Sequence, residues 1–511
     1  MGRIMIAAAL ALSMGIAAQS AAQAPAQAQP PVPAPAAAPE PAPDWSALAR
    51  QDVLAAYDIY ARNHPGMHDP SNPSFPAQLA RGRDRALAAA AAAQDQAGYA
   101  RALGLLSAEL GDGHAQVFAV QPQGQPAPAL EWPGFVAAWR GDRLLVHQAG
   151  EASPAPVGAA VTACNGLPIR DYMRERLLTR GFRPAEAGQW WFRGTQVFVA
   201  GPASRAGRPE RCTFRAADGR ERDAALAWSP APATIDEMMR TATDGERTPI
   251  GMTEPRPGLF LIGMPDFQPN EAGVAAYRAL YELLRGRRAD LLGARAVVID
   301  LRHNNGGSSG WSRDAAEILW GEPLVERTMA DHFHSVAVWW RASPDTIAYM
   351  TELEQMLRGN GRTATADSIH RLQGQMEAAR VRGEPFHVEP VGTAEAASGP
   401  PPPPSDFTTP VYVITPGRCA SACLDALDVF TRFPNVRLIG APTSADSTYM
   451  EVRSQLLPSQ RGRIVVPTKI WMGRPRRSGE VYAPHIPVDA LDWSTGTFLD
   501  RIEQDLGPAR G

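Results

Sequence analysis

Residues 411–430 read VYVITPGRCASACLDALDVF. Five apolar or β-branched residues suit a fully buried strand. Pro416 and Gly417 then force a turn, and an apolar stretch at helical spacing follows Ser421. A turn from strand into helix can expose a serine oxygen while the first amides of the helix supply partial positive charge. The bland reading is that Ser421 only caps the helix. The flanking Cys419 and Cys423 read as small buried hydrophobes that pack the turn.

Upstream, AVVIDLRHNNGG (296–307) ends a second apolar strand in Gly306 and Gly307, where backbone can approach a ligand and offer unblocked N–H groups. Around these runs the pattern is α/β. GLFLIGMPDF (258–267) and VRLIG (436–440) read as strands, and Val274, Tyr277, Leu280, Tyr281 and Leu284 form an amphipathic stripe. Between the halves, about 322–406, lies an insertion with two helical patterns and the run Pro400–Pro404, which serves as a lid or as a packing arm. Residues 45–120 read as a small helical domain. Residues 121–230 read as a mostly-β module, and 231–511 as the core. LGDGHAQVF (110–118) puts His114 in a loop after a helix, where a lone histidine is more often structural.

At 511 residues the chain has room for about three domains. Its net charge of −3 gives no broad field for nucleic acid, which is not expected as a partner. Lys469 is the single lysine, so lysine chemistry has one possible address. The four cysteines lack zinc spacing. No metal and no cofactor is implied, and Cys164 and Cys212 are either paired or simply buried. Residues 1–24, with Arg3, an apolar run and small residues near Ser20–Ala24, read as a cleaved signal peptide. An Ala/Pro-rich spacer over 25–44 follows. A periplasmic or secreted protein with no stable membrane insertion is expected, its oligomeric state open.

Taken together, these segments resemble the S41 family of serine peptidases, the tail-specific processing proteases and the tricorn core. The D-L-R-x-N-x-G-G strand end is matched by Asp300, Leu301, Arg302, Asn304, Gly306 and Gly307. The S-A turn is matched by Ser421 and Ala422, and the D-G-H of the tricorn-like branch by Asp112, Gly113 and His114. PAPVGAAVTACNGLPI (154–169) resembles the PDZ-like module. The resemblance implies a multidomain α/β fold with a helical domain, a PDZ-like β module and a ClpP/crotonase-like core carrying the insertion.

It also implies a serine endopeptidase that acts on protein or peptide through an acyl-enzyme. Tail-specific members place a lysine after the nucleophile, but here Asp446 in GAPTSADST stands near that place and Lys469 lies in a strand-like run, which disfavours a lysine dyad. The tricorn-like pattern implies Ser421 as nucleophile, His114 as base and Glu480, in SGEVYAPHIPVD, as the carboxylate. Glu451 and Asp446 are backups. His485 stands in this segment where the family shows aspartate. The oxyanion hole is implied at Ala422 with Gly306 or Gly307. The same scaffold also hosts retinoid-binding modules that are not proteases, so a non-catalytic binding protein is the rival reading, and a hydrolase or transacylase on small esters or cell-wall peptides is a third.

Overall fold

The computed structural model describes residues 43–121, 124, 128–205, 207–391 and 402–507. The leader at 1–24, nearly all of the spacer and part of the proline run fall outside them. The core is a six-stranded sheet in the spatial order 251–256, 259–263, 296–300, 411–415, 436–440 and 486–487. It is parallel except for its first strand. Strands 259–263, 296–300 and 411–415 are buried at every position, as expected for a parallel sheet covered on both faces. Helices Glu271–Gly286, Gly310–Trp320 and Ala422–Phe430 cover one face, burying Tyr277, Leu280, Leu319 and Leu427. The C-terminal helix Thr495–Leu506 covers the other with Phe498, Leu499 and Ile502. Capping fixes where these helices start: Asn270 accepts from the Gly273 N–H at 2.9 Å, and Ser494 accepts from Thr497.

Residues 45–108 form three helices, Trp45–Asn63, Phe75–Ala91 and Gln96–Ala108, around Val53, Tyr60, Leu79 and Leu103. After the loop with His114 comes a strand, Gln116–Ala119. That strand pairs antiparallel with the long strand Gly462–Met472, so Gln116 sits opposite Val465. This pairing ties the N-terminal helices to the core.

The middle of the chain is a six-stranded antiparallel sheet. Strands 135–140, 143–149, 160–164, 211–215 and 221–225 run side by side, and short helices, among them Ala187–Arg193, pack on them. Cys164 stands opposite Cys212 in register and the two form a disulfide. Trp139, Trp191 and Trp493 join this module's core to one face of the parallel sheet.

The insertion is held firmly in place. Its strand Ala337–Arg341 pairs with Gly462–Met472 on one side and with Phe386–Pro390 on the other, and helices Pro344–Gly359 and Thr363–Val381 pack on that sheet. Among the described residues, no helix is long and apolar enough to cross a membrane, and no three His, Cys, Asp or Glu side chains cluster as metal ligands.

Candidate active site

Ser421 follows the buried strand 411–415 and precedes the helix 422–430, with φ 55° and ψ −131°. That positive φ is a conformation L-residues avoid, at a cost of roughly 1–3 kcal/mol, so the surroundings must hold it. They do so in several ways. Both carboxylate oxygens of Asp446 accept from the Ser421 N–H at 2.9 Å. The Gly417 carbonyl accepts from the Ser444 N–H at 3.0 Å and from its hydroxyl at 2.9 Å. Cys419 and Cys423 form a disulfide that straddles the serine, their Cα atoms 5.3 Å apart. This corrects the reading of the two cysteines as free packing hydrophobes. The turn brings residues four apart close enough to bond, which a linear sequence hides.

The D-L-R-x-N-x-G-G segment works as a scaffold. Arg302, fully buried, donates from Nε to both oxygens of Asp300 at 3.0 Å and from Nη1 to the Trp493 carbonyl at 2.6 Å. Asn304 donates to the Met264 carbonyl at 2.8 Å and accepts the Gly306 N–H at 2.9 Å. These bonds lay Gly306 against the serine turn, with Gly307 beside Phe267. At φ +105°, a Cβ on Gly306 would sit 2.8 Å from the Ser421 Cβ and 2.7 Å from the Ala420 carbonyl oxygen, so only glycine fits there. The Gly306 amide is thus engaged by Asn304. The amide of Ala422, first in its helix, has no intrahelical acceptor.

A cleft of about 240 Å³ gathers Ser421, His114, Gly307, Asp446, Glu451 and Lys469. His114 Nδ1 is buried without a hydrogen-bond partner among the described residues and lies 3.9 Å from Asp112 Oδ1. Asp112 is buried and well connected. Its Oδ1 accepts from the His114 N–H at 2.9 Å and the Ser447 hydroxyl at 2.7 Å, and its Oδ2 faces His64 Nε2 at 3.5 Å. Burial works to raise the Asp112 pKa, but His64, His114 and the His114 amide hold it below the ordinary carboxylate value. His64 is wholly buried, stacked on Phe75, and accepts the Gly66 N–H on Nδ1 at 3.0 Å, so its neutral ring carries the proton on Nε2, toward Asp112. Burial, opposed by Asp112 and Asp69, lowers its pKa.

Glu480 is elsewhere. It is exposed, accepts the Arg477 N–H at 2.9 Å and is not part of the cleft lining, whereas Asp112 is the carboxylate beside His114. Of the backups, Asp446 binds the serine turn and pairs with buried Arg476 at 3.4 Å. Glu451, at φ 55°, pairs with Lys469 Nζ at 3.2 Å, and that ammonium sits 4.5 Å over the Trp340 ring. The lysine is in the cleft but engaged by a carboxylate.

Three consecutive residues join the parts of the site. The Ala445 N–H donates to Glu186 of the β module at 2.9 Å, Asp446 holds Ser421, and Ser447 holds Asp112. GAPTSADST showed this loop as the place of a missing lysine. Nothing in the sequence linked Ser447 or His64 to Asp112, because those contacts span 335 residues in one case and cross between helices in the other.

No family model and no curated protein matches the chain. Among solved structures it is similar to mature CPAF, at 13% identity over 89% of this chain and 96% of that chain, with a TM-score of 0.55. The same protein complexed with lactacystin gives 13% identity, 89% and 98% coverage and the same TM-score. The photosystem II D1 C-terminal processing protease matches at 13% identity over 90% and 98%, with a lower TM-score of 0.36. The fold of the chain is that of the S41 family peptidases whose motifs it resembles.

Proposed function

We propose that the protein is an exported serine endopeptidase. Ser421 Oγ attacks the scissile carbonyl while His114 Nε2 takes its proton, Nδ1 being the nitrogen turned to Asp112. The tetrahedral oxyanion accepts from the amides of Ala422 and Gly307, since that of Gly306 is engaged by Asn304; each such donor is worth ~2.7–4 kcal/mol of barrier. His114 then returns the proton to the leaving amine, and water hydrolyses the acyl-enzyme by the reverse sequence. In this reading Asp112, backed by His64, orients the base in the place the sequence assigned to Glu480. The observation that carries the reading is one cleft holding a strained serine, a histidine with an open Nδ1 beside a buried carboxylate, and a glycine backbone laid on the serine.

Export is supported by the apolar leader and by two disulfides, which persist in oxidising compartments. A PDZ-like role for the β module, capturing peptide by strand addition, is part of the same proposal. Its turn at Asn165 and Gly166, both at positive φ, supports that likeness. A serine-directed fluorophosphonate and an unfolded casein test the reading together. Labelling and fragmentation by the parent but not by Ser421→Ala establish it. Absence of both in the parent sinks it in favour of a binding protein, and labelling with ester but no casein turnover indicates a small-ester hydrolase.

A further inference from the structure

Two cavities meet at Gln116, Arg183 and Arg193: the cleft around Ser421, and a larger one of about 790 Å³ between the N-terminal helices and the β module. Arg101, Arg176, Arg180, Arg183 and Arg193 line the larger one, and Arg418, three residues before Ser421, lines the cleft. The acids lining the larger cavity are Asp112, which faces His64 and His114, and Glu175. Arg183 is compensated by Glu186, and Arg418 Nε lies 2.7 Å from the buried Asp244.

Arg180 and Arg193 have no carboxylate within ion-pair distance among the described residues. Arg180 donates to the Gln196 carbonyl at 3.0 Å. Arg193 reaches only the Gln196 side chain at 3.4 Å, and its Nε is buried with no acceptor. Arg193 and Arg418 both lie over the Phe192 ring, 4.6 and 4.9 Å from its centroid, so one ring holds two cations. Burial, then Arg183, Arg180 and Arg418, pushes the Arg193 pKa down to about 9. Burial, then Arg176, brings Arg180 to about 10. Glu186 offsets part of this at Arg193, but four guanidinium groups crowded around two carboxylates remain unfavourable, and a bound anion lowers that penalty.

We infer that Arg193 and Arg180, with Arg183 and Arg418 beside them, form a carboxylate-binding subsite where the larger cavity opens into the cleft, and that it selects peptides by an acidic side chain. Guanidinium forks suit a carboxylate's two oxygens, and the cavity leads from this cluster to the serine. The inference rests on the peptidase reading only in taking the ligand to be a peptide.

Binding by the Ser421→Ala protein tests it without any chemistry. Fluorescein-labelled decapeptides containing one Glu, or Gln in its place, each as free acid and as C-terminal amide, are titrated by anisotropy. A Glu peptide binding about tenfold or more tighter than its Gln isostere establishes the subsite, whereas a loss confined to amidation assigns binding to the peptide terminus and overturns it. Arg193→Gln in that background should bring the ratio to about one, and Arg193→Lys should keep part of it. Arg180→Gln gives the same readout if Arg193→Gln does not fold. Equal binding of all four peptides, or no binding of any, overturns the subsite. Failure of fluorophosphonate labelling in the parent overturns the peptidase reading instead, leaving the binding result intact.

Discussion

The two halves of the site are built differently. The serine turn is local in sequence and held on several sides: Asp446 grips its amide, a disulfide closes over it, Ser444 holds Gly417 and Gly306 packs on its face. The histidine loop comes from another part of the chain, 307 residues away, and is held by Asp112, by one short strand pairing and by His64 behind it. The difference teaches where control of such a site lies. The serine is prearranged at the expense of backbone strain, while His114, the base in the proposed mechanism, depends on how the N-terminal helices dock. Ala445–Ser447 is the stretch that senses both.

The strongest way to break the contrast is Asp446→Ala. It removes the acceptor of the Ser421 amide, a loss of about 1–3 kcal/mol for the unsatisfied donor, while Arg476 keeps Asp425 and Asp428. Denaturant unfolding should show that drop and fluorophosphonate labelling should vanish; labelling at the parental rate rejects the gripping role.

On the histidine side, Asp112→Asn keeps the shape but weakens the orientation of the base. kcat/KM should fall by roughly 10²–10⁴ with folding retained, while Glu480→Gln, at the surface, should stay within about twofold. The reverse ranking restores Glu480 as the orienting acid. Replacing Cys419 and Cys423 by serine opens a five-residue loop, worth about 2 kcal/mol by chain entropy, and should lower both thermal stability and turnover. Unchanged turnover would show that the other restraints suffice for the serine turn.

The smallest effect is a dependence of stability on pH. His64 and His147 both have pKa values lowered by burial, His147 to about 4, so the unfolded chain binds protons that the folded one refuses as pH drops below about 6.5. Their contribution to stability is complete above that value and is lost as the pH falls toward the folded-state values. Thermal unfolding between pH 7.5 and 4.5 should show the decline, and His147→Gln should flatten it.

What was legible in the sequence was what is local. Four of the parallel strands, the turn carrying Ser421 and the glycine pair each lie in one short segment with a pattern of its own. What was not legible is made by distant parts of the chain meeting. The insertion offered helices but no sign that strand 337–341 pairs with 462–472, because a short strand's partner is set by tertiary packing. The spacing C-A-S-A-C suggests a bond only once the turn is known. Nothing in the sequence singled out Arg193, because its place between two cavities is made by segments far apart in the chain.

The central claim is that the histidine loop and the serine turn act as one catalytic unit. A double-mutant cycle on kcat/KM, with Ser421→Ala, His114→Ala and the pair, tests it most directly. Each single change should abolish nearly all turnover and the pair should be no worse than either. Activity retained in His114→Ala, or losses that multiply in the double variant, would contradict the account.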